Sequence, residues 1–263
     1  MSKTLRYLDH LLHSKTRHGV HSPFVYDFVT QVLPHKGSAT GRRIEADRRE
    51  AKRDTSRVEI VDYGAGYGGI ALPVIQKSIA QVVRSSARGR WEGELLRRIV
   101  RYYDRKSALE LGTNLGFSTR YISDGLSADA ELISIEGSEQ LSKYAARALG
   151  ETPHRLRLLV GEFTQVLRDQ IDWGAVQPDF VLLDGNHRRE PTLDYVNFLL
   201  PKMAQGGILI VDDINWSAEM AQAWQEVIEL ERVTVSLDLF HMGVCFLDRP
   251  QAKEHFRLRV RPF

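Results

Sequence analysis

The stretch Ala108–Thr119, ALELGTNLGFST, ends a strand-like apolar run at Glu110-Leu111-Gly112 and passes through Gly116-Phe117-Ser118-Thr119 into a helical pattern. A loop placed between a strand and the following helix is where α/β proteins hold a nucleotide. A second candidate lies upstream in VDYGAGYGG, where Gly64, Gly66 and Gly69 fit G-x-G-x-x-G after the apolar run Val58–Val61. The string alone does not decide. A nucleotide loop must also open a helix, and a carboxylate about 20 residues on must close the next strand and take the ribose hydroxyls. After Asp62 the next acidic residue is Glu92, with no convincing strand between. After Gly112 the run ELISIEG closes at Glu136, 24 residues later. The Gly112 loop therefore passes the test of context. Its spacing does not specify close approach to a pyrophosphate, which favours a nucleoside ligand without one. The Gly64 loop is expected to be a turn that packs against the downstream domain and borders the acceptor pocket, or a tight structural turn.

Outward from Gly112 the chain alternates. Strand-like SALELG, AELISIEG, LRLLVGE, PDFVLLDG and GGILIVDD are each followed by a helical segment, and RVTVSLDLF and GVCFLD are close enough to pair as a hairpin. Five βα units and two closing strands predict an α/β fold with a doubly wound, seven-stranded sheet and an antiparallel end. Upstream, WEGELLRRIVRYYDRK is an amphipathic helix. Leu5, Leu8, Leu11 and Leu12 recur at helical spacing, and Ser22-Pro23 reads as a helix start with Phe24, Phe28 and Val32 on one face. Residues 35–57 are polar and charge-dense and read as an exposed loop with a short helix. The expected division is a basic, mostly helical extension over 1–90 and the α/β domain over 91–263.

The net charge of +2 hides an asymmetry: residues 1–107 carry 21 Lys+Arg against 11 Asp+Glu, and residues 108–263 carry 15 against 23. A large acidic partner for the basic part is one reading of that split. No apolar run approaches the roughly 18 residues of a membrane span, and the start has no signal-peptide core. A cytoplasmic protein without a membrane partner is expected. The single Cys245, in MGVCFL, reads as a buried strand thiol rather than a nucleophile. His10, His13, His18 and His21 lack Cys or carboxylate partners at ligand spacing and do not read as a metal site.

LELGTNLGFST, ISIEG, LLVGEF, DFVLLDGNH and GGILIVDDINW, in that order, resemble the successive strand-end motifs of class I S-adenosylmethionine-dependent methyltransferases. The nearest branch is the catechol and caffeoyl-CoA O-methyltransferase type. The resemblance covers about residues 91–247, and RHGVHSPFVYDF resembles the start of bacterial methyltransferases of this Rossmann-like fold. It implies S-adenosylmethionine as cofactor. Glu110, Gly112 and Gly116, with Thr113 and Ser118 of the same loop, would lie beside its methionine part. Glu136 would accept both ribose hydroxyls, or else be a solvated strand-end acid. Gly161, Glu162 and Phe163 would lie by the adenine, with Phe163 standing where the family often has a small polar residue.

The same resemblance places Asp184, Asp212 and Asp213 at metal-ligand positions, Asp213 standing where Asn is usual. Hard oxygen ligands would suit Mg²⁺, Mn²⁺ or Ca²⁺. In metal-free relatives the carboxylate after the fourth strand faces cofactor or acceptor instead, and Asp212 and Asp213 could simply start the helix near Ser217. His187 takes the position of a catalytic Lys and would serve as base, or be a surface-loop histidine. Arg188 and Arg189 could hold an anionic acceptor or be solvated. The expected activity is in-line O-methylation of a small hydroxylated molecule, with His187 as base and a divalent cation assisting. Two other functions stay open: a nucleic-acid or protein methyltransferase using the basic region, and a non-catalytic cofactor-binding subunit. The N-terminal helices could mediate a homodimer, as in some relatives.

Overall fold

The computed structural model describes residues 3–34, 37–61, 74–86 and 89–260. Gly64, Gly66 and Gly69 lie outside the described residues. In chain order the elements are helices α1 (Lys3–His13), α2 (Pro23–Asp27) and α3 (Ala39–Ala51), strands β1 (Arg57–Val61) and β2 (Val74–Ser78), and helices α4 (Ile79–Ser86) and α5 (Arg90–Tyr102). There follow β3 (Ser107–Leu111), α6 (Phe117–Gly125), β4 (Glu131–Glu136), α7 (Glu139–Leu149), β5 (Arg155–Val160) and α8 (Phe163–Asp169). The chain closes with β6 (Phe180–Leu183), α9 (Arg189–Leu199), β7 (Ile208–Asp212), α10 (Ala218–Glu229), β8 (Val233–Asp238), β9 (Met242–Leu247) and β10 (Glu254–Arg257). The α/β alternation stands where the apolar periodicity put it. The sheet counts eight strands, β3 to β10, rather than the seven expected.

Two compact units divide the chain: Val32–Asp172, and Met1–Gln31 with Trp173–Phe263. In the first, β3, β4 and β5 are parallel, with Glu110 beside Ser134 and Glu136 beside Val160. Helix α5 buries Leu95, Leu96, Ile99 and Val100 completely, the face its 3.6-residue period marks. A second cluster joins Ile44 and Ala51 of α3, Val82 and Val83 of α4, Phe117 and Tyr121 of α6 and Leu141 of α7. The segment read as a charged loop is thus mostly a helix. Ser38 caps α3, its hydroxyl accepting from the Gly41 N–H at 2.8 Å. The fully buried Glu94 of α5 accepts from the Ser38 N–H at 2.7 Å and its hydroxyl at 2.9 Å. Arg48, also buried, lies over the Phe117 ring at 4.8 Å. These partners lie far off in sequence, which is why local composition suggested only a short helix. β1 and β2 form a separate antiparallel pair, Arg57 opposite Ser78 and Val61 opposite Val74.

In the second unit the strand order is β10-β8-β9-β7-β6. β6 and β7 are parallel, β9 is antiparallel to both β7 and β8, and β10 returns parallel to β8. The predicted antiparallel end is present, and β10 is the added strand. Gly243 of β9 is required by packing, because a Cβ there would lie 2.3 Å from the Trp224 ring. Cys245 faces no solvent, and burial pushes its thiol well above its ordinary range, so it is inert in the folded chain. Helix α1 turns polar residues inward: Arg6 donates to the carbonyls of Asn215 (3.0 Å) and Trp216 (3.2 Å), and His10 lies 3.2 Å from the Leu258 carbonyl oxygen. No helix among the described residues is long and apolar enough to cross a membrane.

Candidate functional site

In the unit Val32–Asp172 the ends of β3 and β4 build a polar cradle. The Gly112 and Thr113 N–H groups both donate to the Ile135 carbonyl, at 2.9 and 3.1 Å, carrying β3 past its strand end. Gly112 has φ 107° and Gly116 φ 79°, in the region where a side chain is strained. A Cβ on Gly116 would also lie 3.0 Å from that of Ala145. Asn114 adopts φ 51°, and its side-chain oxygen accepts from the Leu115 N–H at 2.8 Å. This winding presents the Asn114 N–H to Glu136 Oε2 at 2.7 Å, while the Ser138 N–H reaches Glu136 Oε1 at 2.9 Å. Each carboxylate oxygen therefore receives a charge-assisted bond from a backbone N–H, which fixes its direction. Glu136 is 9% exposed, which sets aside the reading of a solvated acid.

Beneath the loop, Glu110 is fully buried, and its Oε2 accepts from the hydroxyls of Thr119 and Ser134, both at 2.6 Å. Thr113 Oγ1 lies 2.5 Å from Ser134 Oγ. A buried carboxylate held by hydroxyls fixes the loop to the strand below it, since removing either partner leaves a polar group unsatisfied. Ser118 is buried in the first turn of α6. Gly161 donates to the Glu136 carbonyl at 3.0 Å, with φ 148°. Glu162 caps α8, accepting from the Gln165 N–H at 2.8 Å. The sequence reading missed Asn114, Thr119, Ser134 and Ser138. Their signal is faint: a left-handed Asn, a mid-strand Ser, and hydroxyls that read as ordinary helix starts.

In the other unit, His187 lies in the segment between β6 and α9. Its Nε2 is 3.9 Å from Asp184 Oδ1 and 3.8 Å from Asp213 Oδ2. All three side chains are partly exposed. Asn186 (φ 50°) and Asp213 (φ 52°) both turn left-handed, which brings the segments after β6 and β7 to face each other. Arg188 Nε donates to Asn186 Oδ1 at 3.1 Å, and Arg189 pairs with Glu226 at 2.7 Å. Arg189 is thereby tied to α10. Asp212 is the last residue of β7, opposite Met242. Ser217 caps α10 by accepting from the Met220 N–H at 3.1 Å, so Asp212 and Asp213 are not its N-cap.

The metal expectation does not fit this arrangement. Among the described residues no three His, Cys, Asp or Glu side chains are grouped to hold a cation. Asp212 and Asp213 are consecutive at a strand end, and the left-handed turn at Asp213 directs that carboxylate to His187. No step is derived through a cation.

A methyltransferase domain family matches residues 109–214. The flavonoid 3',5'-methyltransferase of Vitis vinifera is 23% identical over 146 residues, which is 54% of this chain and 61% of that protein. The chain thus spans about three-fifths of that relative's length. The O-methyltransferase TomG from Streptomyces achromogenes, solved with S-adenosylmethionine, superposes with a TM-score of 0.57 at 18% identity, covering 86% of this chain and 95% of that one. An O-methyltransferase from Bacillus cereus, in complex with S-adenosylhomocysteine, gives 0.56 at 16% identity, covering 85% and 97%. At these identities the structural matches establish the fold. Residues 109–214 thus resemble a methyltransferase domain family, and the solved structures share the fold.

Proposed function

We propose that this protein is an S-adenosylmethionine-dependent O-methyltransferase acting on a small hydroxylated acceptor. The observation that carries the reading is Glu136, a buried strand-end carboxylate whose two oxygens are aimed by backbone N–H groups of the loops after β3 and β4. Such a group binds a ribose diol at low entropic cost, because it is ordered before the ligand arrives. The bound sulfonium supplies the methyl group. Within the cradle, Gly112, Thr113, Gly116 and Ser118 shape the methionine side, and Gly161 and Glu162 border the adenine.

His187 is the proposed base. As the acceptor oxygen forms its bond to the methyl carbon, the carbon–sulfur bond breaks, and the hydroxyl proton passes to His187. The products are the methyl ether and S-adenosylhomocysteine. Asp184 and Asp213, each within 4 Å of Nε2, offset the positive charge that His187 gains. A cytoplasmic location belongs to the same reading. So does a homodimer, supported by the exposed Leu8 and Leu12 of α1.

Calorimetric titration with S-adenosylmethionine tests the cofactor site. Glu136→Ala removes hydrogen bonds to a charged group, worth roughly 1.5–3 kcal/mol each, and should weaken binding about tenfold or more. A wild-type protein that takes up no S-adenosylmethionine would sink the proposal.

A further inference from the structure

Residues 1–107 carry 21 Lys+Arg against 11 Asp+Glu, and part of that excess gathers in one groove. Lys52 and Arg53 after α3, Arg57 of β1 and Arg84 of α4 line a cavity of about 560 Å³. Lys77 of β2 lines an adjoining cavity of about 320 Å³, which shares Gln81 and Arg84 with the first. Among the described residues, five cations and no carboxylate line the pair. Among the described residues none of the five is ion-paired. Elsewhere exposed cations do find acids: Lys143 with Glu139, Arg189 with Glu226, Arg257 with Asp9.

The groove is held in shape by backbone. Ile79 and Ala80, at the start of α4, donate to the carbonyls of Ser56 and Asp54, both at 2.9 Å. Of the nearby acids, Asp54 is turned to its own chain, accepting from the Ser56 N–H at 2.8 Å and hydroxyl at 2.6 Å, while Asp47 and Glu50 line a neighbouring cavity that shares Arg53. Arg84 donates to the Lys52 carbonyl at 3.0 Å, which fixes one guanidinium at the junction of the two cavities. Like charges gathered in one groove repel one another, and a polyanion relieves that repulsion.

We propose that this groove binds the phosphate backbone of a nucleic-acid strand. A strand is favoured over a small phosphorylated ligand because the cations run across two adjoining cavities. Among the described residues, neither cavity has an aromatic or large apolar wall to enclose a small molecule. It is favoured over a lipid surface because no exposed large apolar side chain lies among the lining residues. With no aromatic platform for bases among the described lining residues, the contact is to phosphates and carries no sequence preference.

Fluorescence anisotropy of a labelled single-stranded RNA oligonucleotide, titrated at increasing salt, tests the assignment. Five phosphate contacts on a single strand predict log K falling with log salt at a slope of about −3.5, and each cation removed should make it shallower by about 0.7. The variants are Lys52→Gln, Arg53→Gln, Arg57→Gln and Lys77→Gln, singly and together, with melting temperature and S-adenosylmethionine affinity expected unchanged. Absence of binding at low salt, or a slope unaltered in the fourfold variant, would overturn the proposal. So would displacement of the strand by stoichiometric inorganic triphosphate, which would assign the groove to small polyphosphates.

Discussion

The strand ends of the two units are finished in different ways. After β3 and β4, Glu136 is buried and held by backbone N–H groups at 2.7 and 2.9 Å. After β6 and β7, His187 stands between two partly exposed carboxylates at 3.9 and 3.8 Å, beyond hydrogen-bond reach. The first arrangement is complete without a ligand. The second is an electrostatic neighbourhood in which neither carboxylate is close enough to fix the imidazole by a hydrogen bond. That contrast suits a division of labour in which cofactor binding relies on prior order, while the catalytic contact tightens only when an acceptor arrives.

Four measurements can break or sharpen the contrast. The largest effect is expected at His187. Replacement by Ala should cut turnover of a phenolic acceptor about 10²–10⁴-fold while S-adenosylmethionine affinity stays at the wild-type value. A loss of both would mean that the two clusters are not separate in function. Next comes Gly116→Val, which forces a β-branched residue into φ 79° against Ala145. Strain of about 1–3 kcal/mol should appear as a lower melting temperature together with weakened cofactor binding. Unchanged values for both would show that the loop is not the rigid part.

A smaller effect is expected from pH. Burial holds His154 below its ordinary value of 6.5. Below that value the unfolded chain takes up a proton that the folded chain resists, so stability should fall as pH drops from about 6.5 toward the depressed folded value. His154→Gln should flatten that part of the melting profile. His154 sits in the unit with the cofactor cradle, 3.4 Å from Ser123, so a slope that survives the substitution would have another source. The smallest effect is expected from chelation. Excess chelator should leave turnover near its starting value, because the acidic side chains are not grouped for a cation. Loss of turnover restored by Mg²⁺ would mean that Asp184, Asp212 and Asp213 come together only in the complex.

Much of the fold was legible because β3 to β9 are short apolar runs separated by amphipathic helices, a pattern that reports burial directly. β10 was not, since Glu254, His255 and Arg257 surround the single buried Phe256. Only a short helix was legible where α3 stands, for a similar reason: its inner face includes Arg48, and its cap is completed by Glu94 from another helix. At the candidate site, Glu136 was found by its distance from Gly112. The backbone donors that aim it were not, because a left-handed Asn114 leaves little trace in composition. The grouping of Asp184, Asp212 and Asp213 depends on where a turn sends each carboxylate, which spacing along the chain does not encode.

The lone thiol of Cys245 also has an experimental use. It lies beside Leu209 on β9, between β7 and β8, with no exposed surface. A thiol-reactive dye can reach it only when that part of the sheet opens. Its labelling rate, followed under native conditions, would therefore serve as a clock for opening of the His187-bearing unit alone. Because the sequence holds only one cysteine, that signal would need no engineered probe and no correction for competing sites.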